Sequence, residues 1–403
     1  MIRKFNIDKF KLPLLLICIL LLPMLVGEYI STDIKSFSYA ISLSMKHILV
    51  FILPFIIFSF LSYSLISLGS GAVVFIVLLM CMVSLSNFIA IMTGYTMGAT
   101  FVPFFNIAMP APILDEHALK PSFNIILPKI IGNEPAIIAG VLIGLFFAFK
   151  PNTYALAIIQ KLNQLAASFL KDIFLPILPL FILGFVFKLE HDRMLATVLT
   201  VYGPVLLLVV STQLFYTGFY YLLAVNFSPT KCMSSIRNML PATITGFTTI
   251  SSAATMPVTI MCTEKNLNSA SMTRTIIPAT ANIHTVGSAL GLTILCMATM
   301  QAFYGDVPSF IDFIEFAIFY TIAKYAVAGI PGGVVIVVTP LLESYLGFSP
   351  EMVGLITAVY LLFDPFGTAT NVTCNGAFAI LFGRIYRFFG KELEAEQKAR
   401  IKA

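Results

Sequence analysis

The sequence predicts an all-α integral membrane protein with eight transmembrane helices, two re-entrant helical hairpins and an inverted repeat. Three observations carry this. Hydrophobic residues make up 59% of the 403 residues and charged residues 11%, whereas a soluble domain carries about 25% charged residues. Apolar stretches recur along the chain, at 12–27, 46–68, 73–98, 136–149 with its flanks, 173–188, 195–225, 276–303 and 352–382. A helix crossing a bilayer needs about 20 such residues. Two further apolar segments, 239–262 and 313–346, are interrupted by polar or Gly/Pro-rich centres.

The first span follows a basic start (Arg3, Lys4, Lys9, Lys11) and no small-residue cleavage site follows it, so it reads as a retained helix. Basic loops stay in the cytoplasm. The N-terminus is basic, as are the end at Arg384, Arg387, Lys391 and Lys398, the loop at Lys231 and Arg237, and the loop at Lys265 and Arg274. The stretches 304–315 and 342–351 carry acids and no Lys or Arg. Both termini are therefore expected inside, with an even number of spans. The mixed-charge stretch "KLEHDR" (188–193) fits this scheme poorly. The six cysteines are scattered singly and imply neither a disulfide framework nor a metal site. The net charge of +5 reflects loop bias and gives no reason to expect nucleic acid as a partner.

The segment 239–262 has basic flanks on both sides and a polar centre, Thr248 to Ser252, so it must enter and return. The segment 313–346 has acidic flanks and the interruption "AGIPGG" (328–333). Each half is too short to cross about 30 Å, and irregular backbone at that depth must be buried in protein or line a wet cavity. Each hairpin precedes a span with a polar middle, "PATANIHTVGS" (278–288) and then "FDPFGTATNVTCNG" (363–376). A hairpin followed by a broken span thus occurs twice, entering from opposite sides. Such inverted repeats point to a transporter's midplane binding site.

Asp364, Thr368, Asn371 and Asn375 are spaced i, i+4, i+7 and i+11, one narrow stripe of a helix. An Asp at the bilayer centre costs roughly 2.5–3.5 kcal/mol on insertion scales, so it must face a partner or a cavity. The bland alternative, hydrogen-bonded glue between helices, rarely needs an Asp. His284 is the one His well inside a span; its default is a neutral, hydrogen-bonded ring, and its functional alternative a proton carrier. Lys324 either snorkels along its stem or neutralises an acid in the core. Ser251, His284 and Asp364 do not make a hydrolase, because the serine is not in a G-x-S-x-G turn. No organic cofactor is implied, and an enzyme is not expected.

Taken together, these elements resemble the dicarboxylate/amino acid:cation symporter family, which includes the glutamate transporters. "TTISSAATMPVT" (248–259) resembles its serine-rich first hairpin tip and "AGIPGG" its second. "NIHTV" (282–286) stands in place of Asn-Met-Asp-Gly-Thr, and "DPFGTATNVTCN" (364–375) resembles the eighth-span pattern of Asp, Arg-Thr, Asn-Val and a final Asp. The motif match covers about 240–385.

The resemblance implies a homotrimer working as an elevator in the inner (plasma) membrane. Spans in 1–150, with parts of 151–230, would form a scaffold. Residues 233–390 would form the transport core, with the first hairpin at about 239–262, span 7 at about 272–303, the second hairpin at about 313–346 and span 8 at about 350–388. It further implies that Asp364 holds a substrate ammonium, that Thr368 and Asn371 flank it, and that Ser251, Ser252 and Ile330 lie at the closing tips.

Departures from the family pattern shape the functional expectation. Gly367 stands where members handling acidic substrates place an Arg, Ile250 where some carry another, and Val286 replaces a Thr. No Arg lies between Arg274 and Arg384, and a second substrate carboxylate wants a guanidinium partner. The expected substrate is a neutral amino acid, the alternative being glutamate, aspartate or a dicarboxylate.

At the family's cation positions, His284 and Asn375 replace Asp, and Ser84 keeps one ligand while Val83 loses its neighbour. Hard cations want charged oxygen. Asn282 and Asn371 could hold sodium only weakly, so coupling is expected to use protons, through His284 or Asp364, or weakened sodium, or to be lost in a sensor or channel.

Overall fold

A computed structural model describes residues 18–402, apart from 20, 21, 24, 68–72, 106–117, 126, 129, 193–194, 268–269 and 328–331; at the C-terminal end, side chains are described as far as Arg387. Most of the first predicted span, Ile330 and most of "AGIPGG" lie outside the described residues.

Among the described residues the chain is mostly helical, with no strand. We number the helices α1 (Thr32–Ser67), α2 (Val73–Phe101), α3 (Asn133–Phe149), α4 (Thr153–Ser168), α5 (Leu175–His191), α6 (Leu195–Ala224), α7 (Pro229–Thr249), α8 (Ser252–Leu267), α9 (Ala270–Thr280), α10 (Val286–Tyr304), α11 (Phe310–Ala323), α12 (Gly333–Leu346) and α13 (Pro350–Lys402). Among the described residues four stretches, Val77–Phe105, Tyr202–Ala224, Val286–Tyr304 and Pro350–Arg387, are each long and apolar enough to cross a membrane alone, and α4 with α5 makes a fifth if that pair, bent by 54°, is one span.

Two packing groups emerge. Helix α1 packs against α3, α4 and α5, while α10 packs against α2, α6 and α13, and α13 also meets α7 and α8. Helix α2 also meets α11. Small residues allow these close approaches. Gly94 and Gly98, one turn apart on α2, abut Thr293 and Met297 of α10, where an added Cβ would lie 2.9 and 2.6 Å away. Gly140 and Gly144 of α3 do the same against Leu61 and Leu65 of α1. Helix α10 is buried along almost its whole length, as expected of a helix apolar all round. One face of α6 exposes Leu207, Leu214, Phe215 and Phe219.

Several sequence expectations are corrected here. The first hairpin is α7 and α8, and its arms of 21 and 16 residues are longer than the 239–262 read from hydropathy, because the polar start "PTKCMSSIRN" is helical too. Span 8 is not broken: α13 runs unbroken through Pro365. The amphipathic α4 was not anticipated. The mixed charges of "KLEHDR" are paired, Lys188 with Asp192 at 2.7 Å and Glu190 with Lys35 at 2.6 Å.

Candidate functional site

The site is built around the break between α9 and α10. Residues 281–285 leave the helix, which frees backbone groups that must find partners in an apolar interior. Side chains of four other helical segments supply them. Asn87 of α2 donates to Ile283 O (2.7 Å) and accepts from Thr285 N (3.3 Å). Lys324, at the end of α11, donates to Thr285 O (2.8 Å). Asn371 of α13 accepts from Gly287 N (2.8 Å) and Ser288 N (3.1 Å) and so caps α10 from a neighbouring helix. Gln213 of α6 donates to Gly287 O (2.9 Å). At Gly287 the backbones of α10 and α13 nearly touch, since a Cβ there would lie 2.5 Å from Gly367 O.

On one side of the break lies a cavity. Its polar lining is Ser252, Asn282, Thr285, Ser288, Asp364, Thr368 and Asn371; Ile250, Ala281, Val327 and Val334 supply apolar wall. It is small, about 20 Å³, room for roughly one water. Residues of both hairpins line it. The first tip is the α7–α8 break at Ile250, whose φ of 50° is strained for a β-branched residue. Ser251 accepts from Ala254 N (3.2 Å) and serves as the N-cap of α8, while Ser252 faces the cavity. The second tip is latched through Asp364, whose Oδ2 accepts from Gly332 N (2.7 Å) and whose Oδ1 accepts from Tyr360 OH (3.1 Å). Two cavity acceptors, Asn282 Oδ1 and Thr285 Oγ1, are buried with no hydrogen-bond partner among the described residues, which points to a partner other than those residues.

On the other side of the break, His284 is fully buried. Its Nδ1 bonds Asn375 Oδ1 (2.7 Å), its Nε2 bonds Ser86 Oγ (2.9 Å), and Phe378 packs on its ring at 4.5 Å. Tyr220 OH closes the network, 3.2 Å from Ser86 Oγ.

The structure thus divides the expected site residues. Asp364, Thr368, Asn371, Ser252 and Asn282 converge on the cavity; His284 and Asn375 turn away from it. Ser84 bonds Tyr325 OH (2.8 Å), joining α2 to the second hairpin, and is no part of the cavity lining. Asn282 and Asn371, the pair expected to hold sodium weakly, both line the cavity; Asn371 Oδ1 accepts from the α10 amides and its Nδ2 donates to Ser288 Oγ (2.8 Å). Lys324 is buried and lies over the Tyr320 ring, 5.2 Å from its centroid. It reaches the outer side of the unwound segment and not the cavity. Sequence reasoning missed Ser86, Asn87, Gln213, Tyr220 and Tyr360. The signal for Asn87 and Gln213 was present, an amide in the middle of an otherwise apolar span.

A profile of the sodium:dicarboxylate symporter family matches residues 12–385. The chain belongs to this family. It is a transporter family, in line with the non-enzymatic reading, and with the apolar helices it makes the chain a multi-pass membrane protein. Among curated members, an excitatory amino acid transporter of Onchocerca volvulus is 29% identical over 164 residues, 40% of this chain and 32% of that protein. Excitatory amino acid transporter 3 of Oryctolagus cuniculus is 35% identical over 158 residues, 39% and 29% of the two chains. A serine/threonine transporter of Acinetobacter baumannii is 28% identical over 139 residues, 34% of each. These matches span about a third of the length of the relatives.

Proposed function

We propose that the protein is a secondary transporter carrying a small neutral amino acid across the plasma membrane. The observation that carries this reading is the charge of the cavity lining. It holds one carboxylate, Asp364, and, among the described residues, no Lys or Arg. A zwitterion needs an anion for its ammonium and neutral donors for its carboxylate; Ser252, Ser288, Thr285 and Thr368 offer hydroxyls. A second substrate carboxylate would meet Ile250, Val327 and Val334, an apolar wall that cannot hydrate it. Lys324 does not supply the missing cation, since Thr285 stands between it and the cavity. The similarity to a serine/threonine transporter points the same way.

Coupling is by protons or by weakened sodium binding. The Asn371 oxygen already accepts from two α10 amides, which leaves it little capacity for a cation. Asp364 and His284 are the candidate proton carriers. Hairpin closure over the cavity, followed by movement of the helices packed on α10 and α13, gives an elevator cycle within a homotrimer, both termini in the cytoplasm.

The second reading, a sodium-coupled carrier of glutamate, aspartate or a dicarboxylate, is favoured by the family description and by the excitatory amino acid transporters among the relatives. Uptake into proteoliposomes separates the two. The first predicts accumulation of labelled serine or alanine under an inward proton gradient. Accumulation of aspartate or succinate, strictly dependent on a sodium gradient, would replace it with the second.

A further inference from the structure

A second polar cavity, of about 390 Å³, lies where the turn after α6, the start of α7, the end of α8 and the cytoplasmic part of α13 meet. Four cations converge on it, Lys231, Lys265, Arg384 and Arg387, and among the described residues no Asp or Glu lines it. The nearest acid in sequence, Glu264, is paired with Arg274 at 2.9 Å.

The walls are pre-set without any ligand. Arg384 donates to Ala224 O (2.7 Å) and Leu223 O (3.3 Å), and also to Asn226 Oδ1, capping the end of α6. Opposite, Asn238 Nδ2 donates to Asn266 Oδ1 (2.8 Å), and Asn266 Nδ2 to Ser235 O (3.0 Å), which clamps the two arms of the first hairpin at their base. Like charges gathered in one fixed concavity repel one another and gain most from an anion that several can share. The first turn of α7, which contains Lys231, adds the favourable end of a helix dipole. Basic residues of these loops also mark the cytoplasmic boundary, where such pockets meet lipid headgroups.

We infer that this pocket binds a phosphate group, presented by an anionic phospholipid or free in solution, and that the bound phosphate ties the base of the first hairpin (Lys231, Lys265) to α13 (Arg387). The inference does not depend on which substrate the midplane cavity takes.

The test uses the full-length protein. Its unfolding temperature is measured in detergent with sodium phosphate against sodium chloride at equal ionic strength. It is then measured in phosphatidylcholine vesicles with and without phosphatidylglycerol. The expected result is a rise on adding phosphatidylglycerol, phosphate or both, lost in the double variant Lys231→Gln/Lys265→Gln and kept in Arg237→Gln, an exposed basic residue of α7 outside the pocket. A rise confined to the vesicles names the lipid as the source, and one already present with inorganic phosphate names the free anion. No rise in either medium, or an equal loss in the double variant and in Arg237→Gln, would overturn the inference. Should the double variant not fold, Lys265→Gln alone decides, because Lys265 is exposed and makes no hydrogen bond or ion pair among the described residues.

Discussion

The two sides of the α9–α10 break are a natural experiment. Asn282 and His284 are two residues apart in the unwound segment, yet Asn282 lines the cavity while His284 bonds Ser86 and Asn375. Around His284 each ring nitrogen has a partner and the ring is packed. Around Asn282 the acceptor is buried and unpartnered, beside a second one on Thr285 and a carboxylate with lone pairs to spare. Polar residues at membrane depth are therefore a poor guide to a binding site until their hydrogen bonds have been counted. The side left incomplete is the side we propose to bind substrate.

The comparison breaks most easily at Asp364. Asp364→Asn keeps the shape and removes the charge, and amino acid affinity should fall by more than a hundredfold, on the order of 3 kcal/mol or more for a buried charged contact. Calorimetric titration of the purified variant checks this; an unchanged affinity would remove Asp364 from the site. Next comes the hinge between the two sides. Gly287→Ala places a Cβ 2.5 Å from Gly367 O and Thr370 Cβ, and overpacking of this kind costs about 1–3 kcal/mol. The unfolding temperature should drop well below that of Gly203→Ala, where an added Cβ meets nothing within 4 Å.

On the filled side, Asn375→Ala strands His284 Nδ1. Stability should fall by roughly 1–3 kcal/mol, with affinity at fixed pH unchanged. His284→Ala sharpens this: if His284 carries the coupled proton, uptake loses its pH dependence. Uptake and pH profile both unaltered would dismiss that role. The smallest stability effect is expected at Asn282→Ala, within about 0.5 kcal/mol, because Oδ1 gives up no protein partner; the loss should show in substrate or cation binding.

Much of this was legible in the residues. The polar run Thr248 to Ser252 marked the first hairpin tip, and the break falls at Ile250 and Ser251. "PATANIHTVGS" marked the broken span. The stripe on α13 was legible in angle and not in depth. Asn375 shares the azimuth of Asp364 but lies 11 residues further on, about 16 Å along the axis, so it passes the cavity and meets His284. The orientation of Asn371 was not legible either, because nothing local to α13 reveals that its oxygen caps another helix. Helix α7 was read short because its first half is polar and hydropathy sees only the half inside the apolar segment.

The central claim is that a cavity with one carboxylate and no cation holds a neutral amino acid. The most direct test is the unfolding temperature of the purified protein with serine, alanine, glutamate, aspartate or succinate, each with and without sodium. A ligand that binds only the folded state stabilises it by RT ln(1 + [L]/Kd). Stabilisation by serine or alanine, little changed by sodium and absent in Asp364→Asn, is the result this account predicts. Stabilisation by aspartate or succinate only when sodium is present would contradict it.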